Sequence, residues 1–238
     1  MGKPAPVILV LLFVILRIHC FGQELSGRSS AVIYQKELQA YQDSQVLYNG
    51  KIWHRKYYNV RGHEFLFTSL WVIGDITINN QVFNDKYLRY DIMDDELHIR
   101  RPDGVVLKLN KEMVSEFSLN FENVEYRFRN FGENRDNQLK GFARLLYDGE
   151  TSLWLKSFKE IIPLGYNKVT DLYEMTEYLY VVKEDRSDHL RGRKGLLDFL
   201  NDRRSEVRKF IVRNRIIILP RQPESVIPVL MYYDSLSE

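Results

Sequence analysis

The sequence predicts an α+β fold: a curved antiparallel β-sheet, a meander or half-barrel, with a short N-terminal helix and C-terminal helices. Three observations carry that expectation. Turn dipeptides separate runs of alternating apolar and polar residues from Tyr48 to Lys183. After Asp188 the apolar spacing changes from two residues to the three-and-four pattern of a helix. The hairpin around Asp148-Gly149 carries apolar side chains on both faces, and a sheet that is greasy on both sides has to curl on itself or be roofed.

The chain opens with Lys3 and then Val7–Leu16, VILVLLFVIL, ten apolar residues without a break. Spanning about 30 Å of hydrocarbon takes roughly 20 residues, whereas the core of a secretory signal takes roughly 7–15. Gly22 and Cys20 supply the small side chains required by a cleavage site after residue 22. The expectation is an exported chain, periplasmic or extracellular, with a signal peptide over 1–22 and a mature end at Gln23. Acylation of Cys20 as a lipid anchor is the second reading; the bulky His19 before it disfavours that processing. Residues 23–30 read as a mobile polar lead, 31–186 as a helix plus the antiparallel sheet, and 187–238 as a helical region packing on the sheet.

Removing the signal changes the charge and redox reading. The formal charge is +2, and 1–22 contain Lys3, Arg17 and no acid, so the chain from Gln23 is formally neutral. That balance does not point to nucleic acid, and no transmembrane span is expected once the signal is gone. Cys20 is the only cysteine. The mature chain would then hold no disulfide, no thiolate metal site and no cysteine nucleophile, and its stability must come from an apolar core.

Ala31–Asp43 places Tyr34, Leu38 and Tyr41 at helical spacing behind Ser30, an N-cap residue. Asn49-Gly50 suits a two-residue hairpin turn, with strands expected at Trp53–Val60 and Phe65–Ser69. Further hairpins are expected at Asn79-Asn80, Met93-Asp94-Asp95, Pro102-Asp103-Gly104 and Asp148-Gly149. In Tyr87–Ile92 the alternation puts Leu88, Tyr90 and Ile92 on a core face and Tyr87, Arg89 and Asp91 on a wet one. Strands are also expected at Val114–Leu119, Val124–Asn130 and Glu177–Lys183. If Tyr147 opposes Glu150, then Phe142, Leu146, Leu153 and Leu155 share one face, and Ala143, Leu145, Tyr147 and Trp154 the other. Beyond Asp188, Leu196, Leu197, Phe199 and Leu200 form one helical apolar cluster and Val207, Phe210 and Ile211 a second, capped by Asp202 or Ser205. Ser225–Leu236 reads as a last helix with Pro228 in its first turn.

No residue pattern in the chain carries catalysis. His63-Glu64 lacks the second histidine that a zinc-protease helix needs four residues on, where Phe67 stands. Asp91, Asp94, Asp95 and Glu96 lack the glycine and spacing of a calcium loop and read as a solvated hairpin tip. His54, His98 and His189 are isolated. There is no GxSxG elbow, phosphate loop, dinucleotide fingerprint or paired CxxC. No catalytic residue, cofactor or metal is therefore assigned. Two surfaces are. Phe142, Leu146, Leu153, Leu155 and Trp154 are expected to form a ligand or partner surface. Arg203, Arg204, Arg208 and Lys209 form a basic surface within Arg191–Arg215, where nine Lys or Arg stand against three acids. Anionic headgroups or another envelope polymer would suit such a stretch. Asp198, Asp202 and Glu206 interrupt it and favour a solvated helix face instead.

The stretches LYNGK, GDITINNQVFNDKYLRYDIMDDEL, LLDFLNDRRSEVRKFIVRNRI and YYDSL together resemble secreted, uncharacterised β-rich proteins of Bacteroidota. The resemblance spans most of the mature chain. It implies an exported or envelope location and brings no catalytic residue. The expected role is non-enzymatic binding or carriage through the curved sheet, with an apolar ligand or an envelope protein as partner. The alternatives are an assembly partner docking by its C-terminal helices and a hydrolase of extracellular polymer.

Overall fold

The computed structural model describes residues 35, 36, 38, 44–133, 138–163 and 171–236. The signal segment, Cys20 and the lead lie outside these residues, as does most of the expected N-terminal helix; Gln35, Lys36, Leu38 and residues 44–47 are helical. The chain divides into two compact units, Met1–Leu47 and Tyr48–Glu238, and the second contains the sheet.

The described strands are β1 (Gly50–Ile52), β2 (Val60–Arg61), β3 (Val72–Ile78), β4 (Gln81–Asp91), β5 (Glu96–Arg100), β6 (Val106–Leu109), β7 (Val114–Phe121), β8 (Val124–Asn130), β9 (Phe142–Tyr147), β10 (Thr151–Ile162), β11 (Asp171–Lys183) and β12 (Arg186–His189). They form one open sheet in the order β1-β6-β5-β4-β3-β7-β8-β9-β10-β11-β12, with β2 beside β11. Every pairing is antiparallel except that of β2 with β11. The sheet does not close into a barrel. It curls far enough for the Lys159 N–H of β10 to donate to Ile92 O beyond the end of β4, at 3.1 Å.

Turn chemistry accounts for the meander. Asn79 and Asn80 lie at φ 50° and 65° between β3 and β4, the left-handed pair that a tight hairpin needs. Glu122 and Asn123 do the same between β7 and β8. Asn49-Gly50 does not close a hairpin: Gly50 begins β1, pairs with Leu109, and a Cβ there would lie 2.4 Å from Lys108 O. Glycine is present for close approach of two backbones. The strands expected over Trp53–Val60 and Phe65–Ser69 shrink to β2 and a single bridge from Phe65 to Asp91. The rest of that segment crosses the expected wet face of β4, so Arg89 and Asp91 are buried while Tyr87 stays exposed.

The C-terminal helices are α1 (Arg193–Phe199), α2 (Arg204–Arg213) and α3 (Ile227–Asp234). They pack on the β9–β12 part of the sheet. Leu153, Leu155, Leu179, Val181 and Leu190 meet Leu196, Leu197, Phe199, Leu200, Val207, Ile211, Val229, Leu230 and Tyr233 in one buried cluster. Polar anchors fix the docking. Asp234 accepts from the Tyr147 hydroxyl (2.9 Å) and the Thr151 N–H (3.1 Å). Lys183 Nζ donates to the Tyr233 hydroxyl (2.6 Å), which donates to Asp202. Asp202 therefore does not cap α2, and neither does Ser205: Arg203 is the N-cap, without a side-chain hydrogen bond. The opposite face of the hairpin is covered too, where Trp154 and Ala143 pack with Leu139, Phe131, Leu145 and Tyr180.

Candidate functional site

The five residues expected to form a ligand or partner surface belong to the packed interior. Phe142, Leu153, Leu155 and Trp154 are buried and Leu146 is half-buried. Leu153, Leu155 and Leu146 lie under the helices, and Trp154 lies on the other face. Their facing differs from the expected one in one respect. Tyr147 pairs with Leu153 and Leu145 with Trp154, which leaves Leu146 as the extra residue of a bulge. The bulge moves Tyr147 to the helix side, where its hydroxyl reaches Asp234. Phe142 faces inside the curl. Its ring stands edge-on to Tyr90 and Phe117, and Phe117 stacks on Phe128 at 4.6 Å. Rings thus fill the concave side between β4 and β9. Arg203, Arg204, Arg208 and Lys209 are all exposed, and Arg204 pairs with Asp198.

Two polar clusters emerge that sequence spacing did not show. The first is centred on Asp95. That residue is not part of a solvated tip: Lys111 Nζ (2.6 Å) and Lys156 Nζ (2.8 Å) both reach it, and the Tyr90 hydroxyl donates to it. A short 3₁₀ turn, Lys111–Met113, brings Lys111 in, and Asn130 Nδ2 holds that turn by donating to Lys111 O and Val114 O. Gly141, at φ +62°, leaves room for the carboxylate; a Cβ there would lie 1.8 Å from it. Burial alone would raise the Asp95 pKa, but the two lysines and the tyrosine hold it below the ordinary carboxylate value. Lys156 moves the opposite way from a well-paired lysine. Its burial outweighs the attraction of the one carboxylate it shares with Lys111, and its pKa falls.

Asp95 opens onto a cleft of about 410 Å³ lined by Asn49, Lys51, Asp94, Glu96, Lys108 and Asn110 as well as Asp95 and Lys111. Each of its three carboxylates has a lysine: Asp94 pairs with Lys56, Asp95 with Lys111 and Lys156, and Glu96 with Lys108 at 2.8 Å. Both signs of charge therefore face the cleft; each carboxylate is neutralised by a lysine, while Lys51 has no acidic partner among the described residues.

The second cluster lies on the covered face of β4 and β5. The Arg89 guanidinium sits 3.7 Å from the Phe65 ring centroid, 4.4 Å from Trp71 and 4.8 Å from Trp53. One nitrogen donates to Ser69 O, and among the described residues Nε and Nη2 have no partner. Cation–π attraction takes the place of hydrogen bonds, and burial lowers the Arg89 pKa to about 10. His98 faces Arg89 across the β4–β5 pair and is fully buried. Neither of its ring nitrogens has a hydrogen-bond partner among the described residues; Glu96 is 3.8 Å away, beyond reach. The signal for this cluster was the tryptophan and phenylalanine content of the 53–71 segment, which alternation alone assigned to strands. His63-Glu64 belongs to that segment: Glu64 O accepts from the Ile92 N–H, and no helix forms there.

No protein-family model matches the chain, and neither a curated protein nor a solved structure matches it. Among the described residues no helix is long and apolar enough to cross a membrane.

Proposed function

We propose that the chain is an exported, non-catalytic binding protein that takes a hydrophilic ligand bearing both signs of charge in the cleft beside Asp95. The observation that carries this reading is the pairing of every cleft carboxylate with a lysine. A carboxyl acting as general acid has to be kept protonated at working pH; Asp95 is instead held in its charged form. Such a lining binds by exchanging its internal ion pairs for pairs with a ligand, and a matched set of charges favours specificity over raw affinity. The ring-filled concave side gives less support to carriage of an acyl chain. The apolar run at Val7–Leu16 and the resemblance to secreted β-rich proteins support export.

The test is a titration of the full chain with a panel of lysine- and glutamate-containing dipeptides and acidic amino sugars, followed by NMR chemical shifts. Shifts gathered at Asp95, Lys108 and Lys111, and lost in Lys108→Gln with Lys111→Gln, are the expected result. A panel that leaves those residues unmoved overturns the cleft reading. Chemical conversion of any panel member, abolished by Asp95→Asn, overturns the non-catalytic reading.

A further inference from the structure

We propose that the C-terminal helical face docks on an anionic phospholipid bilayer, with α2 lying along the headgroups. Ser205, Arg208, Lys209, Val212 and Arg213 fall at i, i+3, i+4, i+7 and i+8 of one helix and line an open depression of about 440 Å³. Three cations thus converge on a depression large enough for a phosphate-bearing headgroup. The opposite side of the helix is anchored: Val207 and Ile211 are buried in the core, and the Phe210 ring stacks on Tyr232 at 4.0 Å. The basic stripe is therefore presented on a rigid support.

The charge is unspent. Between Arg203 and Arg221 stand seven basic residues and one acid, Glu206. Arg204 pairs with Asp198, while Arg203, Arg208, Lys209, Arg213, Arg215 and Arg221 have no acidic partner among the described residues. Aliphatic side chains of the same segment stand exposed: Val212, within the stripe, is 60 % exposed, and Ile217, just beyond the helix, 71 %. Ile217 follows Arg213 by four residues, hence by at most about 14 Å of chain. Exposed aliphatics next to unpaired cations match the layered chemistry of a bilayer surface, phosphate outside and acyl boundary just beneath. A soluble polyanion would use the cations and leave the aliphatics idle.

Co-sedimentation of the full chain with vesicles tests this, using equal parts phosphatidylglycerol and phosphatidylcholine against phosphatidylcholine alone. Because Val7–Leu16 is itself apolar, the readout is the difference between wild type and variants that share the same N-terminus. Wild type should prefer the anionic vesicles, and raised salt should weaken it. Arg208→Gln, Lys209→Gln and Arg213→Gln together should cost on the order of 100-fold in partitioning, at about fivefold per cation near the surface. Val212→Ser with Ile217→Ser should lower binding several-fold. All five positions are exposed, so circular dichroism should show an unchanged fold. Equal binding to both vesicle types, or a triple variant that binds like wild type, overturns the proposal. Binding to heparin or DNA that matches vesicle binding, with the Val212/Ile217 double variant indistinguishable from wild type, also overturns it and assigns the face to a soluble polyanion.

Discussion

At the scale of single residues, burial has a large chemical consequence at His98. Burial first, and then the cations Arg89, Lys108 and Lys56, push its pKa down to about 3. In the unfolded chain a histidine titrates near 6.5. Above that pH the ring is neutral in both states and adds no pH dependence. As pH falls from 6.5 toward 3, only the unfolded chain takes the proton, so stability is lost across that window. Asp91 acts in the opposite direction. Its burial raises the pKa from 3.8 to about 6, so the folded chain takes that proton first and gains stability between pH 6 and 4. The two effects oppose each other over the shared window. His98→Leu isolates one of them: between pH 7 and pH 4, wild type should lose about 3 kcal/mol more than the variant in urea unfolding. Parallel pH profiles for the two proteins would contradict the buried, neutral ring.

At the scale of elements, the helices are part of the core and not an appendage. Leu153, Leu155, Leu179 and Val181 of β10 and β11 are covered by α1, α2 and α3, and without that cover the sheet would present a greasy face to water. The docking also depends on Asp234, at the end of α3, which satisfies both a tyrosine hydroxyl and a backbone N–H of the opposite hairpin. Asp234→Ala leaves the partly buried Thr151 N–H without an acceptor and should cost roughly 1–3 kcal/mol. Denaturant midpoints of Asp234→Ala, Tyr147→Phe and the double variant measure it. Strict additivity in that cycle would show that the two groups do not act together.

For the whole molecule, Lys159 is one of the residues that join distant strands across the curl, beside the Asp95–Lys156 pair and the Tyr90–Phe142 contact. Lys159 of β10 donates its N–H to Ile92 O, and its ammonium donates to His63 O (2.9 Å) and Phe65 O. It ties the 63–65 loop to both ends of the curl. Lys159→Met keeps the stem and the backbone N–H and removes the two hydrogen bonds of the ammonium. Amide exchange at Leu66 and Ile92, whose N–H groups bond to Tyr90 O and Glu64 O, should then speed up by about tenfold or more, following a local loss of 1–3 kcal/mol. Unchanged protection at those amides would mean that the Lys159 ammonium does not hold the curl.

Local grammar was legible in the chain: the Asn79-Asn80 turn, the Leu88–Tyr90–Ile92 core face of β4, the alternation in β8, the two apolar helical clusters, and a hairpin that had to be covered on both faces. Those features depend on neighbours in the chain, through backbone torsion and side-chain period. Long-range packing is what encloses Arg89 between Trp53, Phe65 and Trp71, sets Asp95 between Lys111 and Lys156, and makes Leu146 a bulge residue. Each of those depends on residues brought together from distant strands. A charge on an alternating strand looks solvated until another segment crosses it, and removing it from water is what turns a surface pattern into a site.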